Sequence, residues 1–215
     1  MRAAREDWFD RQPDLDPDRL VFLDETAATT KMVRRYGRAP CGQRCRIAVP
    51  HGHYKTTTIT AALRATGLIA RSVFDGATNG IRFRAYLTDT LAPVLRPGDT
   101  VILDNLNAHK VAGVREAIEA VGARVLYLPP YSPDFNPIEQ VFAKVKALLR
   151  TAAARTAAEL TVAIENAFAA VRPDECRNYL TAAGYDAYEP TCQGTALALA
   201  FLQLGQTAAL PAHFV

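Results

Sequence analysis

Long hydrophobic runs, cysteine and histidine are all scarce in this sequence. The longest notable apolar stretch, Ala196–Leu204, is far too short to span a bilayer. The opening residues, MRAAREDWFD, contain no apolar core of the kind a secretory leader needs. A cytoplasmic protein with no membrane partner is the expectation. Four cysteines (Cys41, Cys45, Cys176, Cys192) are too few and too unevenly spaced for a disulfide framework. One zinc pattern needs weighing, Cys41-x3-Cys45 followed by His51 and His53. A single residue separates those histidines, whereas zinc fingers leave about three to five. Free thiols beside a strand are the better reading. An excess of either charge is also lacking: 25 Lys and Arg against 22 Asp and Glu leave a net charge of +3 and a pI of about 8.7. That permits a nucleic-acid partner without arguing for one, because the basic residues form no single dominant patch.

What the sequence has is apolar material, 49% of 215 residues, enough for a sizeable core. Residues 1–19 are charged and interrupted by Pro13 and Pro17, and read as a short helix and linker. Leu20–Leu23 is a continuous apolar run ending in Asp24-Glu25, as expected of a strand buried on both faces. Lys31–Gly42 is basic and broken by Gly37 and Pro40, so it reads as a loop. Strand signals follow at Arg44–Val49, Thr56–Arg64 and Leu68–Phe74, the last two joined at Thr66-Gly67 as a hairpin. Helical spacing then runs from Phe83 to Val94, and Thr100–Leu103 is a second apolar strand ending in an acid, Asp104. A helix from Val111 to Val121, a strand at Arg124–Leu128, a helix over 138–150, one opened by a capping box, Thr156-x-x-Glu159, and running to Val171, and one over 173–183 complete the order. Early hairpin-like strands and later strand–helix–strand units predict an α/β fold. Its mixed sheet would be antiparallel early, parallel late and flanked by helices. Residues 189–215 are apolar and nearly uncharged, with no clear periodicity.

Three acids stand at element ends: Asp24, Asp104 and Glu139. Each alone has a plain structural reading. Asp104-Asn105 is turn-prone. Asn136-x-x-Glu139, with Pro137 at the first helical position, has the form of a capping box. Together the acids say more. In open α/β sheets, sites form beyond the carboxyl ends of the strands. If the strands are neighbours, Asp24 and Asp104 project from one edge, with Glu139 within reach. Converging carboxylates repel unless a cation lies among them, and hard oxygen ligands suit Mg²⁺ or Mn²⁺. Two such ions are what phosphoryl transfer by metal pairs uses. Glu25 neighbours Asp24, but the period-two alternation of a strand sends it to the other face.

Leu103-Asp104-Asn105 with His109, and Tyr131-Ser132-Pro133-Asp134-Phe135-Asn136-Pro137-Ile138-Glu139, resemble signatures of DDE transposases of the mariner superfamily, in its bacterial insertion-sequence branch. Thirty-four residues separate Asp104 from Glu139, the spacing of that family. Leu20–Thr26 resembles its first-aspartate strand and His51–Thr58 its next segment, so the likeness spans roughly 5–188. The resemblance implies a ribonuclease H-like fold over 20–188 and an Asp24–Asp104–Glu139 triad holding two Mg²⁺ or Mn²⁺ ions. It also implies cut-and-paste transposition of DNA. Transposon ends and target DNA would be the partners, in a homodimeric complex within a bacterial, nucleoid-associated setting. A helix-turn-helix half would come from elsewhere, since too few residues precede Leu20 to build one; an upstream reading frame is the expected source. The sequence departs from the family after Asp24-Glu25-Thr26, where Ala27-Ala28 replaces the usual aromatic residue. Candidate DNA contacts are Arg34, Arg35 and Arg38, then His109, then Lys144, Lys146 and Arg150, although ordinary solvated basic side chains explain each of these as well. Capping its helix or holding a water near Asp104 are the alternative roles for His109. The competing function is that of an inactive transposase remnant that binds DNA or a partner chain without chemistry.

Overall fold

Leu20 to Leu23 are fully buried, and the strand that they begin is the middle of the fold. The computed structural model describes residues 2–49 and 56–186. In it β1 (Leu20–Thr29) lies between β2 (Thr56–Arg64) and β4 (Thr100–Leu103). The edges are β3 (Gly67–Asp75) beside β2 and β5 (Arg124–Tyr127) beside β4. β1–β2 and β2–β3 pair antiparallel, β1–β4 and β4–β5 parallel. This is the expected mixed sheet.

Alternation along the strands sorts the core into two layers. Leu20, Phe22, Ile59 and Ile102 face one way and pack with Val141, Phe142, Val145 and Leu149 of α4 (Ile138–Ala152). Leu160, Ile164 and Phe168 of α5 (Ala157–Ala169) and Cys176 and Leu180 of α6 (Pro173–Ala182) belong to the same layer. Val21, Leu23, Val101 and Leu103 face the other way, onto α2 (Gly80–Tyr86) and α3 (Val114–Glu119). The Thr156 hydroxyl accepts from the Glu159 N–H at 3.2 Å and Glu159 accepts in return from the Thr156 N–H, the capping box expected at the start of α5.

Several elements differ from expectation. β1 does not stop at the acids but runs to Thr29, because β2 pairs with it from Phe22 to Thr29, well past the reach of β4. Asp24 is therefore in mid-strand. Arg44–Val49 is not a strand, and all of it that is described is exposed. Its alternating polar and apolar side chains imitate a half-buried strand, but β1 already has both neighbours. The helix expected over Phe83–Val94 is α2, a π-helical turn (Leu87–Leu91) and a 3₁₀ turn containing Pro93. The helix expected from Val111 begins only at Val114, after a 3₁₀ turn at Asn107–Lys110.

The first residues are built into the domain rather than leading up to it. α1 (Arg2–Arg11) buries Trp8 in the α4 layer. The Trp8 Nε1–H donates to the Tyr185 hydroxyl at 3.0 Å, and that hydroxyl donates to the Phe135 carbonyl at 2.8 Å. The Gln12 amide donates to the Ala183 carbonyl. Both ends of the described chain thus grip the loop before α4. Tyr185→Phe keeps the ring against Phe22, 4.8 Å away, and strips both hydroxyl bonds. A loss of about 1–2 kcal/mol in urea unfolding is expected, because the Phe135 carbonyl and the Trp8 N–H are left unpaired in the interior.

Candidate active site

Leu23 and Leu103 form the last rung of the parallel β1–β4 pair. Beyond it the strands part: β1 continues with β2, and β4 ends. Phe22 and Ile102 face the α4 layer, so alternation returns Asp24 to that face where Asp104 leaves the sheet. Asp24, Asp104 and Glu139 all line one cleft of about 540 Å³, together with Glu25, Asn105, Leu106, Asn136 and the 128–133 loop.

Asp24 is only 9% exposed. Its Oδ2 accepts from the Asn136 Nδ2 at 2.9 Å and its Oδ1 from the Glu25 N–H at 2.7 Å. Burial pushes its carboxyl up to about 7; the Glu25 N–H and His109 oppose the rise, while Glu139 and Asp104 add to it. Asp104 accepts from the Leu106 N–H at 3.2 Å, and its Oδ1 lies against the His109 Nδ1. His109 is 1% exposed and stacked on Phe83 at 4.3 Å. Burial alone would lower its pKa, but Asp104, Glu25 and Asp24 outweigh burial and raise it. The surrounding acids thus favour the protonated form of this buried imidazole. Glu139 is exposed, in the first turn of α4.

Two sequence expectations are corrected here. Asn136 does not cap α4: the helix starts after Pro137 with no side-chain cap, and the Asn136 side chain turns to Asp24 instead. His109 is too deeply buried to touch a phosphate and acts as the partner of Asp104. Lys144 is likewise committed, its Nζ bonded to Glu175 and to the Ala170 carbonyl, and so ties α4 to α6. Arg34, Arg35 and Arg38 are exposed on the loop after β1, and Lys146 and Arg150 are partly exposed on α4. None of these five lines the cleft. Glu25 does line it, from the opposite face of β1, with the Thr60 hydroxyl 3.5 Å away. Its place next to Asp24 in a strand that outruns its parallel neighbour is the signal for it.

Among the described residues, no three His, Cys, Asp or Glu side chains stand close enough to hold a metal ion as placed. The donor chemistry of the cleft nonetheless fits a hard divalent cation. Four carboxylates line it, with no Lys or Arg among them. The Asn136 Oδ1 is buried with no hydrogen-bond partner, a further oxygen donor at the same place. Gathering the ligands needs side-chain turns. Cys41 and Cys45 are exposed. His51, His53, Cys192 and residues 189–215 lie outside the described residues.

Residues 19–161 match the DDE superfamily endonuclease family. No curated protein matches the chain. Among solved structures, it is similar to the Mos1 strand transfer complex (21% identity, TM-score 0.66, covering 84% of this chain and 56% of that one). It is also similar to the Mos1 mariner paired end complex with Mn (20%, TM-score 0.68, 84% and 57%). The catalytic domain of Mos1 mariner transposase alone gives 18% identity and a TM-score of 0.60, covering 84% of each chain. This likeness is one of fold, and the sheet and its helices are ribonuclease H-like. The chain spans little more than half the length of the first two. Among the described residues, no helix is long and apolar enough to cross a membrane.

Proposed function

The chain belongs to the DDE superfamily endonucleases, and on that premise we propose that its acid cleft cleaves and joins DNA strands as the catalytic half of a transposase. The observation that carries this reading is the shared cleft of Asp24, Asp104 and Glu139, lined by acids and free of Lys and Arg. The Ser132–Glu139 string supports assignment to the bacterial insertion-sequence branch. The Mos1 transposase complex with its left transposon end supports DNA as the partner; a pairing of two chains and a helix-turn-helix half supplied by an upstream reading frame belong to the same proposal.

The reaction is an in-line displacement at phosphorus. In cleavage, a water oxygen bonds to phosphorus, the bond to the 3′ oxygen breaks, and that oxygen leaves as the free 3′-OH. In joining, the 3′-OH is the nucleophile, and a target-strand 3′ oxygen leaves. A pair of Mg²⁺ or Mn²⁺ ions, when bound, would supply Lewis acidity to the attacking and leaving oxygens. Asp24, Asp104 and Glu139 are the residues to hold them. Asn136 and the Glu25 N–H fix both Asp24 oxygens, so the central carboxylate has one orientation. His109 lies against Asp104, and the acids around it favour its protonated form, which would offset their mutual repulsion. Glu139, exposed on the first turn of a rigid helix, can swing without moving the backbone.

Incubating the chain with supercoiled plasmid tests this. Nicking is expected with Mn²⁺ or Mg²⁺ and not with EDTA. Metal-independent nicking, or none even when the chain is fused to a related helix-turn-helix half, overturns the reading.

A further inference from the structure

Among the described residues, three non-glycine residues have left-handed backbone. Ala153 closes α4, and Ala70 sits at the irregularity in the β2–β3 ladder, so both serve the fold. Tyr131, at φ +56°, has no such reason. A bulky residue is disfavoured there, and a loop that only needed to turn would carry glycine or asparagine. The Tyr131 ring is 85% exposed and lines the acid cleft.

The segment that presents this ring is braced. The Arg5 guanidinium donates to the Ser132 hydroxyl at 2.9 Å and to both Asp134 carboxylate oxygens, and lies 4.7 Å from the Phe135 ring centroid. Tyr185 holds the Phe135 carbonyl from within. Pro129 and Pro130 stiffen the other side. A rigid loop thus keeps an apolar plane in water in a strained conformation, and strain of this kind collects where a side chain is aimed at a ligand. The cleft itself favours one kind of contact. With no Lys or Arg among its lining residues, it offers a DNA strand no cationic side chain to grip. A base plane can still be held by stacking, which is indifferent to charge and to sequence. Leu106, 57% exposed, lines the same cleft from the loop after β4 and adds apolar surface.

We propose that Tyr131 is the stacking platform for an unpaired nucleobase beside the phosphate to be cleaved, so that the cleft engages a strand locally lifted from its duplex. The inference rests on the DNA-cleaving reading of the acid cleft. It makes Tyr131 a substrate-positioning residue that is left in place at the expense of the fold.

The test uses the full chain, with Mg²⁺, and a forked duplex carrying 2-aminopurine in its unpaired arm. Wild type and Tyr131→Phe are expected to quench the probe with similar affinity. Tyr131→Asn and Tyr131→Gly, which suit a left-handed backbone, are expected to bind about tenfold more weakly without quenching. Their thermal midpoints should equal or exceed that of wild type by a few degrees. Undiminished binding and quenching in Tyr131→Asn overturns the stacking role alone, provided wild type nicks DNA in a metal-dependent way. A fall in midpoint that parallels the fall in binding overturns it too, since Tyr131 would then be serving the fold. A wild-type chain that neither nicks nor binds overturns both readings.

Discussion

Asp104→Asn and Glu139→Gln are each expected to lower metal-dependent nicking by about a thousandfold or more while the thermal midpoint stays within a few degrees of wild type. A thousandfold is about 4 kcal/mol of barrier, the scale expected when a carboxylate that anchors a catalytic cation is neutralised. The two substitutions reach the result by different routes. Glu139 is exposed on the first turn of α4 and bears no core packing, so Glu139→Gln leaves the fold as it is. Asp104 faces His109, and Asp104→Asn removes the charge that most favours the imidazolium. His109 then loses its proton more readily, and a neutral ring stacked on Phe83 is no burden to a buried site. The fold therefore tolerates both changes, and only the chemistry fails. Nicking within about tenfold of wild type in either variant would remove that acid from the catalytic set. The assay must be run with Mn²⁺ as well as Mg²⁺, since a weakened site is filled more readily by the ion with the stronger ligand affinity.

The strands and the acids were legible in the sequence because short-range rules govern them. Apolar runs at Leu20–Leu23 and Thr100–Leu103 reveal strands buried on two faces, and the acids after them stand out against those runs. The extent of β1 was not legible, since it depends on pairing with β2, whose partner residues lie 27 (Thr29 to Thr56) to 41 (Phe22 to Leu63) positions away. Asn136 shows the same limit at the site. Its sequence context, followed by Pro137 and Glu139, satisfies every local rule for a cap, yet a buried carboxylate 112 residues away claims its amide. Tertiary demand won because a buried carboxylate without donors is far more costly than an uncapped helix start open to water. The basic residues fared likewise. Spacing marked Lys144 as exposed on α4, but an acid of α6 packs against it. The role of α1 was hidden for a further reason: Trp8 and Tyr185 meet across nearly the whole chain, and no periodicity in either segment announces the contact.

Asp24→Asn is expected to separate stability from activity: inactive, yet more stable than the metal-free wild type at about pH 8. In the folded state the Asp24 carboxyl is raised from an ordinary 3.8 to about 7, first by burial and further by Glu139 and Asp104. The folded protein therefore holds this proton more tightly than the unfolded chain does. Stability linked to Asp24 is fully present below about pH 4, falls as pH rises between about 4 and 7, and levels off above. The loss at the upper limit is at most a few kcal/mol. An asparagine at position 24 carries no charge to bury and escapes that loss. Its amide can still turn an oxygen toward the Asn136 Nδ2, but its NH₂ then faces the Glu25 N–H, a mismatch of about 1 kcal/mol. The net gain near pH 8 should be about 1–3 kcal/mol, shrinking to nothing or reversing by about pH 4. Divalent cation reverses the order. Mn²⁺ should raise the wild-type midpoint and release protons near neutral pH, as a cation replaces the proton on Asp24, and should do neither in the variant. Calorimetric scans at several pH values, with Mn²⁺ and with EDTA, check both halves. A variant less stable than wild type at pH 8 in EDTA would mean that burying the Asp24 carboxylate does not strain the fold. Equal stabilisation of both proteins by Mn²⁺ would remove Asp24 from the cation site.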